Sequence, residues 1–173
     1  TEIYTLSLHD ALPISFAVNA KGETIPAELV AKMRAADEFG KGNMVRQQMY
    51  YAALSVGLYN QDPKGLDPDV FQRQMEAKYS PWPRLEGIHP VCGFTHLVGY
   101  SSNYYTYMWS LSIAKDLKTA FAAKGITDEE TARRYRAAIL DRGGAQDAAD
   151  LVRAFLGRPS TLDAFKEYLE KGE

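Results

Sequence analysis

The stretch from Phe94 to Trp109 constrains the fold more than any other part of the chain, because it crowds four tyrosines, one histidine and one tryptophan together. Gly99 and the two serines after Tyr100 are turn-forming residues. They predict a loop between the two halves of the stretch. The first half contains the histidine, His96, and the second half begins a long apolar pattern.

That pattern starts at Asn103 and runs to about Phe121, with apolar residues at i, i+3 and i+4. One stripe contains Tyr104, Tyr107, Met108, Leu111 and Ala114, and a second contains Tyr105, Trp109, Ile113 and Leu117. A helix with apolar residues on two faces is typical of a buried position. The sequence therefore predicts a central, aromatic-rich helix over about 103–121, with Tyr105 and Trp109 in the core.

The rest of the chain also has helical periodicity, and no segment shows a convincing period-2 strand pattern. Prolines at positions 81, 83 and 90 predict an ordered loop over 80–91. The predicted fold class is all-α and multi-helix. Further helices are expected over about 24–38, 43–59, 67–79, 127–142, 147–156 and 160–169.

Capping residues mark several of these helix starts. Asp67 before Pro68 predicts an N-cap with proline at the first helical position. Two more starts carry capping pairs, Thr127 with Glu130 as a T-x-x-E box and Ser160 with Asp163. Arg133 and Arg134 are expected on a solvated helix face.

Charge and composition exclude several classes of partner. A formal net charge of −2 gives no electrostatic case for nucleic acid or an anionic membrane. No apolar run approaches the roughly 20 residues that span a bilayer. The single cysteine, Cys92, excludes an internal disulfide and fits a reducing compartment. We therefore expect a cytoplasmic protein, with Cys92 as a small buried apolar residue.

Several motifs resemble those of the thimet oligopeptidase and peptidyl-dipeptidase family of zinc metallopeptidases. In that family a phenylalanine and a histidine precede a glycine-tyrosine loop, as Phe94, His96, Gly99 and Tyr100 do here. A Tyr-Tyr-x-Tyr-x-Trp helix start follows, matched by 104–109. The resemblance continues through Ala114-Lys115-Asp116, Tyr135-Arg136, Ile139-Leu140, Gly143-Gly144 and Phe155-Leu156-Gly157-Arg158.

Residues 1–15 do not share this resemblance. They resemble the translation of a sequencing-adaptor oligonucleotide, and the alternative is a genuine short N-terminal strand. The chain is thus expected to be a C-terminal fragment, with an artefactual leader over 1–15 and a helical part of the peptidase catalytic domain over 16–173.

The resemblance implies zinc in the full-length enzyme, held by two histidines in H-E-x-x-H and a downstream glutamate. The three histidines here are His9, His89 and His96; no two are four residues apart, and none precedes a glutamate. No metal ligand is therefore assigned within the chain. The zinc ligands are expected in a missing N-terminal half of the same enzyme, and the fragment alone is expected to be inactive.

Site residues are carried over from the family by the same resemblance. Tyr107 and His96 are the implied catalytic groups, as donors to a developing oxyanion. Tyr104, Tyr100 and Gly99 are the implied contacts to a peptide substrate. The alternatives are a hydrogen-bonded corner histidine and aromatic residues that only form core. One departure is a single glycine before Tyr100 where the family commonly has two, which predicts a loop shorter by one residue.

The function predicted from the sequence is the substrate-binding and oxyanion-stabilising part of a zinc oligopeptidase that hydrolyses short peptides. The alternative is a non-catalytic, all-helical interaction or ligand-binding module. An H-E-x-x-H motif in the uninterrupted gene upstream of Phe16 distinguishes the two. The sequence does not decide between internal cleavage and release of dipeptides.

Overall fold

The computed structural model describes residues 18–171 and confirms the all-α prediction, since it contains no strand in that range. Three short turns accompany the helices: 3₁₀ turns at Pro90–Gly93 and Asn103–Tyr105, and a π-helical turn at Arg136–Leu140. The helices of this range are α1 (Ala27–Glu38), α2 (Lys41–Tyr59), α3 (Pro68–Tyr79), α4 (His96–Tyr100), α5 (Thr106–Ala122), α6 (Glu129–Tyr135), α7 (Ala148–Leu156) and α8 (Asp163–Lys171). The predicted leader 1–15 lies outside the described residues.

The chain divides into two compact units. One unit is Gly40–Ser110, and the other combines the segments on either side of it in the sequence. Helix α5 begins in the Gly40–Ser110 unit and continues into the other. Every site residue predicted from the sequence falls within Gly40–Ser110.

Helices α2 and α3 form the framework of the Gly40–Ser110 unit. Its buried apolar residues include Tyr50, Leu54 and Tyr104. Gly57 lets α3 approach closely, because a Cβ at that position would lie 2.4 Å from the Phe71 ring. The predicted N-cap of α3 is confirmed, as the Asp67 carboxylate accepts hydrogen bonds from the backbone N–H groups of residues 69 and 70.

Arg84 ties the predicted loop over 80–91 to α3. Its guanidinium lies 2.9 Å from the Asp69 carboxylate and 2.5 Å from the Glu76 carboxylate, and it also donates to the Ile88 carbonyl. The fully buried Gln72 adds a second tie, because its side-chain oxygen accepts from the Val91 N–H at 2.6 Å. These bonds order a proline-rich segment that has no regular structure of its own.

The cluster that Asp69 forms with its hydrogen-bond donors makes the connection between the loop and α3 sensitive to acid. Hydrogen bonds from Arg73, and then from His89 and Arg84, lower the pKa of Asp69 from 3.8 to about 2 against the opposing effect of burial. Because the folded-state pKa is depressed, the stabilisation is present above about pH 4 and is lost as the pH falls towards 2. Between pH 4 and pH 2, the urea concentration at which half of the protein is unfolded should therefore fall less steeply for Asp69→Asn than for the unaltered chain.

The matched control is Asp62→Asn, which changes an exposed carboxylate in the turn before α3. Its acid dependence should follow that of the unaltered chain. An Asp69→Asn variant whose midpoint declines as steeply as the control would show that the Asp69 cluster contributes nothing to the acid response.

In the other unit, an aromatic trio joins α5, α6 and α7. The rings of Phe121, Tyr135 and Phe155 lie 5.4–6.0 Å apart, and Phe155 is fully buried. Arg134 donates to the Phe155 carbonyl at 2.7 Å, and its guanidinium carbon lies 5.5 Å from the Phe155 ring centroid. Arg134 is nevertheless exposed, as predicted for a solvated helix face, and so is Arg133, which pairs with Glu129.

Asp116 is a buried carboxylate of this unit that accepts hydrogen bonds from three residues. Its side chain is 1% exposed, and Arg158 contacts both of its oxygens, at 2.6 and 3.0 Å. The Ser160 hydroxyl and the Thr161 N–H donate to the same carboxylate at 3.0 and 2.8 Å. Burial raises the pKa of Asp116, but the bonds from Arg158, Thr161 and Ser160 outweigh it and hold the pKa below its ordinary value.

One predicted cap is wrong because a neighbouring side chain takes its place. The hydroxyl of Ser160, predicted to cap α8, donates to Asp116. The N-cap of α6 is Asp128, whose carboxylate accepts from the Thr131 N–H at 2.8 Å, so Thr127 with Glu130 is not the capping pair. Aspartate and threonine are both good N-cap residues, and sequence alone does not separate neighbours of this kind.

Three predicted core residues are exposed. Cys92 lies on the surface of the Pro90–Gly93 turn. Tyr105 is 47% exposed and Trp109 is 60% exposed. Helical geometry places these two on a different face from Tyr104, which packs towards α2. The apolar pattern on two faces therefore does not bury both faces within the described part of the chain.

Candidate functional site

The structure brings four of the predicted site residues into one aromatic cluster. Helix α4 carries His96 and Tyr100, the Asn103–Tyr105 turn carries Tyr104, and the first turn of α5 carries Tyr107. The His96 ring centroid lies 5.0, 5.9 and 6.0 Å from those of Tyr104, Tyr107 and Tyr100 respectively. Residues from two separate helices are thus gathered around one imidazole.

His96 and Tyr107 form the polar centre of this cluster. The Tyr107 hydroxyl lies 3.3 Å from His96 Nε2, and both side chains are half-buried. The imidazole accepts the phenol hydrogen in one tautomer and donates to the phenol oxygen in the other. Either way, two groups that can donate hydrogen bonds while uncharged lie within hydrogen-bond distance of each other.

Tyr104 lies behind this pair. It is only 9% exposed, and its hydroxyl donates to Gln48 Oε1 at 3.0 Å. Its ring lies 5.0 Å from the Tyr107 ring and about 5.3 Å from those of Phe94 and Tyr51. The structure therefore directs the Tyr104 hydroxyl towards α2, and its ring packs beside the His96–Tyr107 pair.

Tyr100 and Gly99 occupy the outer side of the cluster. Tyr100 is exposed, and Gly99 lies in α4 with open space where a Cβ would be. The predicted loop between the two halves is found at Ser101 and Ser102 and does not include Gly99, because the helical turn continues through Tyr100. The left-handed backbone falls on Ser101, whose φ is 51°.

Sequence reasoning missed the contribution of α2. Gln48 binds Tyr104, the Tyr51 ring packs on Phe94 and Tyr104, Ser55 donates to the Ser101 carbonyl, and Tyr59 donates to the Leu97 carbonyl. A signal was available, because positions 48, 51, 55 and 59 follow the 3–4 spacing of one helix face. They were overlooked since polar and apolar residues alternate along that face.

The described residues do not fit a metal site. Within 18–171, no group of three or more histidine, cysteine, aspartate or glutamate side chains could hold a metal ion. A structural zinc has four protein ligands and a catalytic one has three, so this part of the chain supplies neither kind. No helix of the same range is long and apolar enough to cross a membrane.

Comparisons with known proteins agree with the motifs. A family model described as Peptidase family M3 matches residues 7–171. Oligopeptidase A of Escherichia coli (strain K12) is 30% identical over 156 residues, which cover 85% of this chain and 22% of the relative. Dipeptidyl carboxypeptidase of the same organism is 30% identical over 142 residues, or 79% of this chain and 21% of the relative.

A plant relative, the probable cytosolic oligopeptidase A of Arabidopsis thaliana, is 28% identical over 145 residues, covering 79% of this chain and 21% of the relative. The chain therefore spans about a fifth of the length of the relatives it matches. The family match begins inside the predicted leader 1–15, so that boundary stays a prediction.

Proposed function

Because the chain belongs to peptidase family M3, we propose that it is the substrate-binding and oxyanion-stabilising part of a zinc-dependent oligopeptidase that hydrolyses short peptides. The observation that carries the proposal is the His96–Tyr107 pair, whose polar atoms lie 3.3 Å apart in an aromatic cluster. The four residues of this cluster come from helices α4 and α5 and the turn between them.

The chemistry of the pair suits peptide hydrolysis. When water attacks a peptide carbonyl, the carbonyl oxygen gains negative charge, and hydrogen bonds to it strengthen in the transition state. The Tyr107 phenol and the His96 imidazole can both donate to such an oxygen without carrying a charge of their own. Half-burial limits competition from bulk water, which makes each bond count for more.

The remaining predicted residues suit the surroundings of a bound peptide. Exposed Tyr100, whose ring lies 6.0 Å from that of His96, is proposed to contact substrate, and open space at Gly99 allows a peptide backbone to approach. Tyr104 is also proposed to contact the substrate at this site, from its buried position. The names of the relatives include both an oligopeptidase and a dipeptidyl carboxypeptidase, so the proposal extends to peptides without choosing between the two activities.

We further propose that the zinc ligands belong to a part of the parent polypeptide outside this chain. The described residues lack a ligand set, and the matched relatives are several times longer than the match. That remaining part is then the chief partner of the chain. A cytoplasmic location stays a prediction, since the relatives' names include both a cytosolic and an organellar enzyme.

Zinc content and peptide cleavage, measured for the chain alone and for the product of the complete gene, test the proposal. The isolated chain should bind no stoichiometric zinc after dialysis and should not cleave a quenched-fluorescent peptide. The complete product should contain an H-E-x-x-H motif, about one zinc per chain as a catalytic site of this kind requires, and chelator-sensitive cleavage.

Two results would overturn it. Stoichiometric zinc and chelator-sensitive cleavage in the isolated chain would show a complete peptidase with a metal site that we have not recognised. A complete gene product without the motif and without cleavage would favour the alternative, a non-catalytic helical binding module.

A further inference from the structure

Ser101 adopts an unfavourable backbone conformation next to the candidate site. Its φ is 51° and its ψ is −116°, and it is the only non-glycine residue with positive φ in the range 18–171. This combination is one that residues with a Cβ rarely adopt. Such a conformation persists only where the surrounding structure fixes it, and residues of this kind gather at functional sites.

Hydrogen bonds from helix α2 fix the conformation of this turn. Ser55, which is 1% exposed, donates its hydroxyl hydrogen to the Ser101 carbonyl at 2.7 Å. One turn further along α2, Tyr59 donates to the Leu97 carbonyl at 2.5 Å. Leu97 directly follows His96, and Ser101 ends α4. The two bonds therefore hold both ends of the short helix that carries the imidazole.

Helix α4 is only five residues long. A five-residue helix has little stability of its own, since a helix of that length barely exceeds the unfavourable nucleation step. Its orientation must then be set by contacts from outside it.

We propose that Ser55 is a positioning residue: by holding the strained turn at Ser101 it keeps His96 against Tyr107, with Tyr59 providing a second hold at Leu97. The effect of this positioning on catalysis rests on the proposed function, but the positioning of α4 by the two hydrogen bonds does not. Without the Ser55 hydroxyl, Ser101 relaxes towards an ordinary φ, and α4 turns His96 away from the Tyr107 hydroxyl.

The test compares Ser55→Ala in two backgrounds, the natural sequence and Ser101→Gly. Glycine accepts the observed φ without strain, so the turn no longer needs to be held. In the natural background, Ser55→Ala should speed amide exchange at Leu97 and Val98 about tenfold, the effect of losing roughly one hydrogen bond. It should also weaken the nuclear Overhauser contact between the His96 and Tyr107 rings. In the glycine background both effects should shrink to less than about twofold.

Equal effects of Ser55→Ala in both backgrounds would overturn the proposal, because a residue that only fills the core acts independently of strain at Ser101. Unchanged exchange in the natural background would overturn it as well. If Ser55→Ala unfolds the chain, Tyr59→Phe replaces it, since this exposed side chain loses only its hydroxyl. Tyr59→Phe should speed the same exchange about threefold, whereas the matched control Tyr79→Phe should leave it unchanged.

Activity of the complete enzyme separates this proposal from the proposed function. If the exchange results are as expected and Ser55→Ala also lowers kcat/KM about tenfold, with rescue by Ser101→Gly, both stand. Amide exchange could respond as expected while neither Ser55→Ala nor His96→Ala changes kcat/KM. In that case Ser55 positions the turn as proposed, but the catalytic role of His96 is wrong.

Discussion

Tyr107→Phe in the complete enzyme is expected to lower kcat and kcat/KM together by about 10²-fold to 10³-fold, the loss measured when one oxyanion donor is removed. The substitution deletes a single oxygen and keeps the ring that packs on His96 and Tyr104. KM should change little, because a bond that forms fully only in the transition state adds little to ground-state binding. Steady-state kinetics with a quenched-fluorescent peptide measure both parameters.

Tyr105→Phe is the matched control for this experiment. It removes the same group from the neighbouring face of the same region, where the side chain is exposed. Its kinetics should stay within about twofold of the natural enzyme, as for most surface substitutions. A Tyr107→Phe enzyme with unchanged kcat and a raised KM would make Tyr107 a ground-state binding residue instead.

The second large effect concerns stability. Asp116→Ala should lower the free energy of unfolding of its unit by about 3 kcal/mol, as expected when one partner of a buried, hydrogen-bonded ion pair is removed. The change leaves the Arg158 guanidinium, the Ser160 hydroxyl and the Thr161 N–H without their common acceptor. Arg158 is 41% exposed, so water compensates part of its loss, and the estimate stays at the lower end of the range.

Urea unfolding at pH 7 measures this difference, with Asp150→Ala as the control. Asp150 forms an exposed pair with Arg153 at 2.8 Å, and its loss should change stability by no more than about 0.5 kcal/mol. Because the pKa of Asp116 is depressed in the folded state, its contribution should be complete at pH 7 and should decline as the pH falls below the ordinary aspartate range. Equal effects of the two substitutions at pH 7 would show that the Asp116 network contributes no special stability.

Helix positions were largely predictable from the sequence because they depend on local pattern. Asp67 before Pro68 marked the start of α3, and the prolines over 80–91 marked the loop that follows it. The break after α6 was also expected, since Gly143 and Gly144 follow the π-helical turn. In each case, a few neighbouring residues determine the backbone.

Contacts between distant residues were not predictable in this way. Asp116 and Arg158 are 42 residues apart, and neither side chain has a local pattern that reveals its partner. Trp109 has the spacing of a core residue but is exposed, because periodicity gives the faces of a helix without saying which neighbours cover them. Cys92 was placed in the core from its residue type alone, which also does not say which neighbours cover a side chain.

The candidate site was predictable only in part. The choice of His96 and Tyr107 came from the family resemblance, and the structure then places their polar atoms 3.3 Å apart. The Ser55 and Tyr59 hydroxyls were missed because each bonds to a backbone carbonyl 38–46 residues away. A sequence pattern contains no information about such an acceptor until the fold is known.

Inhibition by a phosphinic peptide, whose tetrahedral phosphinate imitates the attacked carbonyl, tests the central claim most directly. The inhibition constant should be measured for the complete natural enzyme and for its Tyr107→Phe and Tyr105→Phe variants. If Tyr107 stabilises the oxyanion, Tyr107→Phe should raise the inhibition constant by the same factor, about 10²-fold or more, by which it lowers kcat/KM. An inhibition constant that stays the same while kcat/KM falls would contradict oxyanion stabilisation by Tyr107.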